Sequence, residues 1–248
     1  MELQGKVGIV TGGCSGIGYS IVEGFLREGA NVVVADWNES GQEIVNSLGY
    51  GKDRVRFIRT DVSSEEDIKR MVDFTVSSFG SLDIAVACAG LPGDKTILDQ
   101  ELDSWHKILK VDLDGVFLTN KHAINYMLEH NIKGSIINLA SIGGLIGFPH
   151  DITYCAAKGG VVNFTRSAAV KVADKGIRVN ALAPGYIDTP IMQKIPDKDF
   201  IKEAIELHPM KRMGKPEEIA DACIFLASEK SSFITGVTLP VDGGYTAV

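Results

Sequence analysis

Cysteine is scarce in this chain, and what there is stands apart. Cys14, Cys88, Cys155 and Cys223 form neither a CxxC pair nor a zinc-like spacing with histidine, which sets aside a disulfide scaffold and a structural zinc site. The histidines His106, His122, His130, His150 and His208 make no HExxH pattern, so no catalytic metal is expected. Basic charge is in deficit as well. With 25 Lys and Arg against 32 Asp and Glu the net charge is -7, a poor match to nucleic acid or an anionic membrane, and a small-molecule partner is expected instead. No apolar run is long enough to span a bilayer. Met1 leads into Lys6–Val10 without a basic segment, a long apolar stretch or a cleavage site, so neither a signal peptide nor a location outside the cytoplasm is expected.

What the chain has in quantity is apolar surface. Hydrophobic residues make up 45% of 248, enough for one α/β domain over 1–248 with no accessory module. Short, nearly all-apolar runs at Val7–Val10, Val32–Ala35, Val55–Ile58, Ile84–Ala87, Ser135–Leu139, Val179–Ala181 and Val237–Val241 read as strands covered on both faces. Helical periodicity fills the intervals at Gly16–Glu28, Glu65–Ser78, Leu102–Glu129, Ile152–Lys175, Asp199–Glu206 and Glu217–Ala227. Ser63 and Glu66 make a capping-box pair, and Pro216 marks a first helical position. The alternation predicts a doubly wound, mostly parallel seven-stranded sheet with helices on both faces and a ligand crevice at the carboxyl ends of its strands. The stretch from Ile187 to Glu206, with Pro190 and Pro196, reads as a mobile insertion, the core of a substrate loop over about 187–210.

Directly after the first strand, Gly12, Gly13, Cys14, Ser15, Gly16, Ile17 and Gly18 form a glycine-rich turn that opens a helix. Glycine allows close backbone approach, and free amides at a helix start favour a pyrophosphate. Alone the pattern is equally a structural turn. Asp36, 18 residues after Gly18 at the end of the second strand, suits a ribose-binding acid, and its charge would repel a 2′-phosphate, so NAD is expected over NADP; the neighbouring Trp37 and Asn38 add no cation. Asp61 and Val62 close the third strand and Cys88, Ala89 and Gly90 the fourth, on the edge where adenosine would lie.

The fifth strand ends in Ser141, and 13 residues later Tyr154 and Lys158 stand four apart on one helix face. That spacing alone is equally a solvated face. Taken in order, however, the glycine run at 11–18, Ser141, the YCAAK of Tyr154–Lys158, Pro184-Gly185 and the Val241-Asp242-Gly243-Gly244-Tyr245 ending resemble the classical short-chain dehydrogenase/reductase family across nearly the whole chain. The resemblance implies a Rossmann fold, a homotetramer and hydride transfer between a nicotinamide and a secondary alcohol or ketone.

In that reading Tyr154 is the general acid and base, Lys158 stabilises its phenolate and binds the nicotinamide ribose, and Ser141 bonds the substrate oxygen. A free tyrosine lies about three units above neutral, roughly 4 kcal/mol from ionisation at pH 7, so the help is needed. The resemblance also assigns Thr189 to the nicotinamide carboxamide, with Pro184, Gly185 and Ile187 beside it. Asp112 stands where the family has an asparagine that holds a water linked to the lysine; if ionised it favours protonated Lys158 and opposes the phenolate. Ala87-Cys88 replaces asparagines before Ala89-Gly90, which puts a hydrogen bond within the sheet in doubt.

The substrate pocket is expected from Ser141, Ile142, Leu145, Pro149, His150, Tyr154, Tyr186, Met192 and Ile195, mostly apolar with His150 and Tyr186 as polar handles. Secondary alcohols, polyols, hydroxysteroids and 3-oxoacyl thioesters all remain open as substrates. The rival readings are a 3-oxoacyl carrier-protein reductase using NADPH, which Asp36 weighs against, and a nucleotide-binding protein without turnover, which the Ser141, Tyr154 and Lys158 set weighs against.

Overall fold

The computed structural model describes residues 1–93, 95–193 and 198–248. Strands β1 (Val7–Thr11), β2 (Asn31–Asp36), β3 (Val55–Arg59), β4 (Ile84–Ala87), β5 (Ser135–Leu139), β6 (Arg178–Pro184) and β7 (Thr238–Val241) form one sheet in the order β3-β2-β1-β4-β5-β6-β7. Every pairing in it is parallel. The order reverses between β1 and β4, so the crevice opens beyond the carboxyl ends of those two strands.

Side-chain alternation explains why the strands are apolar throughout. Val10, Val32 and Val34 pack with helices α1 (Gly16–Arg27) and α9 (Pro216–Ala227) on one face, while Ile9, Val33 and Ala35 pack with α3 (Glu65–Phe79), α5 (Gly115–Glu129) and α6 (Ile152–Val172) on the other. Each face of each inner strand is therefore core. The remaining helices are α2 (Gly41–Ser47), α4 (Leu102–Leu109), α7 (Pro190–Gln193) and α8 (Lys198–Leu207). No helix among the described residues is long and apolar enough to cross a membrane.

The structure departs from the sequence expectations in several places, three of which bear on the site. The capping pair is shifted by one: Ser64 caps α3 by accepting from Asp67 N at 3.3 Å, while Ser63 bonds back to Asp61 Oδ1 at 2.9 Å through N and at 2.7 Å through Oγ. Side-chain bonds to Asp61 hold Ser63 outside the helix. The long central helix is interrupted between α4 and α5 by a π turn at Lys110–Asp114, closed by Gly115 N on Lys110 O. Finally, the segment expected as a mobile insertion carries the short helix α7 as well as α8, the helix expected at Asp199–Glu206, with residues 194–197 outside the described set.

Candidate active site

A cleft of about 1820 Å³ runs along the carboxyl edge of the sheet from Trp37 to Tyr245. Small-molecule sites are commonly ~300–1,000 Å³, so this one has room for a dinucleotide and a second molecule beside it. Its floor at one end is the glycine turn. Gly12 has φ +67°, and a Cβ there would lie 2.8 Å from Ala89 Cα; a Cβ on Gly18 would lie 2.1 Å from Gly12 O. Only bare backbone fits this approach of β1, α1 and the end of β4. Thr11, unassigned from sequence, ties the same corner together: its Oγ1 accepts from Cys88 N at 3.0 Å and Ala89 N at 3.2 Å. This supplies, through a hydroxyl on β1, the bonding that the missing asparagines had put in doubt.

At the same end Asp36 is buried, with Oδ2 accepting from Cys14 N at 3.0 Å and Oδ1 from Asn38 N at 3.0 Å. Each carboxylate oxygen keeps lone-pair capacity for a further donor. Ser15, Gly16, Ile17, Trp37, Asp61, Val62, Cys88, Ala89 and Gly90 line the cleft around it. Cys14 does not; its side chain lies in the core beneath α1, where burial and then the Asp36 carboxylate push the thiol up to about 12. Arg59, at the end of β3 and exposed, is a cation at this end that sequence reading missed, 4.0 Å from Glu39.

In mid-cleft, β5 delivers Ser141, the start of α6 delivers Tyr154 and Lys158, and the π turn delivers Asp112. Ser141 Oγ accepts from Gly143 N at 3.1 Å, and its hydroxyl favours the ionised form of Tyr154. Lys158 Nζ lies 5.4 Å from the centre of the Tyr154 ring, donates to Leu139 O at 3.0 Å, and sits 3.2 Å from Asp112 Oδ2. Asp112 Oδ1 accepts from Leu91 N at 2.8 Å.

Electrostatically the pair differs from expectation. Burial pushes the Tyr154 phenol up, Lys158 and Ser141 pull it down, Asp112 and Asp151 push it up again, and the net direction is upward. Burial pulls Lys158 down, but Asp112 and Tyr154 outweigh that and its net shift is upward. Lys158 therefore does not bring the phenol toward neutrality, chiefly because burial opposes the phenolate, with the Asp112 and Asp151 carboxylates adding to that opposition.

Beyond Tyr154 the cleft is walled by Ile142, Pro149, His150, Tyr186 and Met192, with Thr189, Pro184, Gly185 and Ile187 between that wall and the glycine turn. Leu145 does not line it, since its side chain follows the short 3-10 turn after Ser141 outward. The expected Ile195 lies outside the described residues.

Sequence reading missed most of the aromatic wall. Tyr186 packs edge-on to Phe200, His208 and Tyr245 at 5.8, 5.8 and 5.9 Å and against Phe148 at 6.2 Å. His208 is buried beneath it. Its Nε2 accepts from Tyr186 N at 3.3 Å, so the ring proton sits on Nδ1, which donates to Ala204 O at 2.6 Å. The Gly-Gly-Tyr ending was a usable signal for Tyr245; nothing local marks Phe148 or Phe200.

Three relatives align along essentially the whole chain. A cis-4-hydroxycyclohexanecarboxylate dehydrogenase of Sinomonas cyclohexanicum is 43% identical over 98% of this chain and 97% of its own. A 2,5-dichloro-2,5-cyclohexadiene-1,4-diol dehydrogenase of Sphingobium indicum is 41% identical over 100% and 99%. An NADP-dependent (R)-specific alcohol dehydrogenase of Lentilactobacillus kefiri is 40% identical over 99% and 98%. A family model described as enoyl-(acyl carrier protein) reductase matches residues 12–246. With the parallel sheet, the glycine turn and the Ser141, Tyr154 and Lys158 cluster in one cleft, the chain belongs to the classical short-chain dehydrogenase/reductase family.

Proposed function

We propose that this protein is an NAD(H)-dependent oxidoreductase that interconverts a cyclic secondary alcohol and its ketone. The observation that carries the reading is the convergence of Ser141, Tyr154 and Lys158 in mid-cleft, between a backbone cradle and an aromatic wall. The cradle suits a dinucleotide, because it is a backbone turn opening a helix, held in its close approach by Gly12 and Gly18, where a Cβ would collide with main chain. Bound there, a nicotinamide supplies the hydride donor or acceptor.

The protein's own residues supply the rest. Ser141 offers its hydroxyl to the substrate oxygen and lies in the same mid-cleft region as Tyr154, so that the oxygen it holds is presented for proton transfer. Tyr154 gives its phenolic proton to the nascent alkoxide in ketone reduction and takes it back in alcohol oxidation. Lys158, anchored on Leu139 O, presents a fixed positive charge below the Tyr154 ring and stabilises the phenolate. Thr189 and the Pro184-Gly185 turn orient the ring, and Asp36 accepts from the adenosine ribose hydroxyls.

Preference for NAD rests on Asp36, a buried carboxylate at the ribose position. Arg59 favours the second reading, a 3-oxoacyl carrier-protein reductase with NADPH, but it is exposed and already near Glu39. For the substrate, two of the relatives are named for cyclic alcohols, and flat aromatic rings at Tyr186 and Tyr245 suit an alicyclic ring. The acids at that end, Asp151 and Glu203, disfavour an anionic substrate. A cytoplasmic homotetramer with a small-molecule substrate and reduced thiols completes the proposal.

The test is fluorescence titration with NADH and NADPH, followed by oxidation of cyclohexanol and of 4-hydroxycyclohexanecarboxylate. Tighter NADH binding, and turnover of the neutral alcohol above the carboxylate, is the expected result. Preference for NADPH would move the reductase reading ahead. Turnover that survives in Tyr154→Phe would end the assignment of Tyr154.

A further inference from the structure

We propose that Asp112 is a positioning residue that holds the Lys158 ammonium by a direct buried ion pair and thereby keeps Tyr154 protonated to higher pH than a neutral side chain at 112 would. The proposal rests on Tyr154 being the proton-transferring group. Its observations are geometric. The Nζ to Oδ2 distance is 3.2 Å, and the two side chains are 4% and 0% exposed. Each partner is also held from a second side, Lys158 by Leu139 O at the end of β5 and Asp112 by Leu91 N just beyond β4. The π turn positions the carboxylate for this. One extra residue between α4 and α5, closed by Gly115 N on Lys110 O, rotates Asp112 relative to a regular helix.

Burying the Asp112 carboxylate is costly without a partner, and the Lys158 ammonium 3.2 Å away supplies one. The charged and titratable groups facing the Tyr154 oxygen are few. Lys158 comes from α6, Asp112 from the π turn and Asp151 from the start of α6; Cys88, at the end of β4, acts on Lys158 instead, its thiol pushed up to about 12 by burial and neutral at ordinary pH. Lys158 favours the phenolate; Asp112 and Asp151 oppose it. An asparagine at 112 has one oxygen, which can either accept from Leu91 N or turn to Lys158; in either orientation it carries no negative charge, leaving the ammonium field to act on Tyr154.

The consequence is a displaced pH dependence rather than a changed reaction. In alcohol oxidation Tyr154 must begin as the phenolate, so activity rises with pH through its titration. In ketone reduction it must begin protonated, so activity persists to higher pH.

The experiment is an ultraviolet phenolate titration of the cofactor-free protein, each variant compared with its own Tyr154→Phe counterpart so that only Tyr154 remains in the difference. Asp112→Asn is expected to lower the Tyr154 midpoint by about one pH unit or more, and Asp112→Ser to lower it in the same direction, which covers the case of one variant folding poorly. The acid limb of kcat for alcohol oxidation should move down with it. An unmoved or raised midpoint in the neutral variants overturns the proposal, as does a kcat loss equal at every pH. A lowered midpoint in a protein without alcohol turnover would instead count against the dehydrogenase reading.

Discussion

The two ends of the cleft are built in different ways. The glycine end is made of backbone and short side chains from consecutive segments: Gly12 and Gly18 on the first turn, Thr11 holding Cys88 and Ala89, and Asp36 held by Cys14 N and Asn38 N. The aromatic end is made of side chains from four separate stretches, with Phe148, Tyr186, Phe200 and Tyr245 meeting over a buried His208. This cradle tolerates little change at Gly12 and Gly18, because a Cβ at either collides with main chain. Packed side chains can be exchanged one at a time. Under the proposed function, recognition of the cofactor would sit where substitution is constrained, and recognition of the substrate where side chains can be exchanged.

Four perturbations would break or sharpen that contrast. The largest effect belongs at the junction: Tyr154→Phe should lower kcat by about 10²- to 10⁴-fold while NADH fluorescence titration gives the wild-type Kd. A Kd that moves with kcat would mean that the two ends are not separable at Tyr154. Next, Asp112→Leu should cost about 3–5 kcal/mol of stability by stranding Lys158 as an unpaired buried charge, read from urea unfolding. At the glycine end, Asp36→Ala should weaken NADH binding by about 10- to 100-fold, the worth of a hydrogen bond to a charged group, and narrow its preference over NADPH. At the aromatic end, Tyr245→Ala should raise KM for a cyclic alcohol by about tenfold through lost apolar contact, with cofactor Kd unchanged.

The same contrast decides what could be read from sequence. The β4 and β5 boundaries and the glycine turn follow from local periodicity and spacing, whereas the Ser141, Tyr154 and Lys158 set is legible only through the family resemblance of the ordered motifs. β6 runs on to Pro184 because it pairs with β7 up to Val241, a nonlocal condition. The short helix α2, polar and opening on Gly41, carries too little periodicity to be recognised. The π turn is likewise silent in the sequence: the Leu102–Glu129 pattern reads as one helix, and only tertiary packing decides where an extra residue is absorbed. Phe148, Phe200 and His208 look like ordinary core or surface positions until the fold brings them together. The upward shift of Tyr154 needed the actual burial and the actual distance from Lys158 to Asp112.

The central claim is that Tyr154 transfers the proton while the two ends of the cleft hold the two reactants. It is tested most directly by following NADH formation from NAD and cyclohexanol with wild type and Tyr154→Phe, at pH values chosen above and below neutral. Steady formation that rises with pH in the wild type and is lost in the variant, whose NADH binding is intact, is the predicted result. Equal rates in the two proteins would contradict the account.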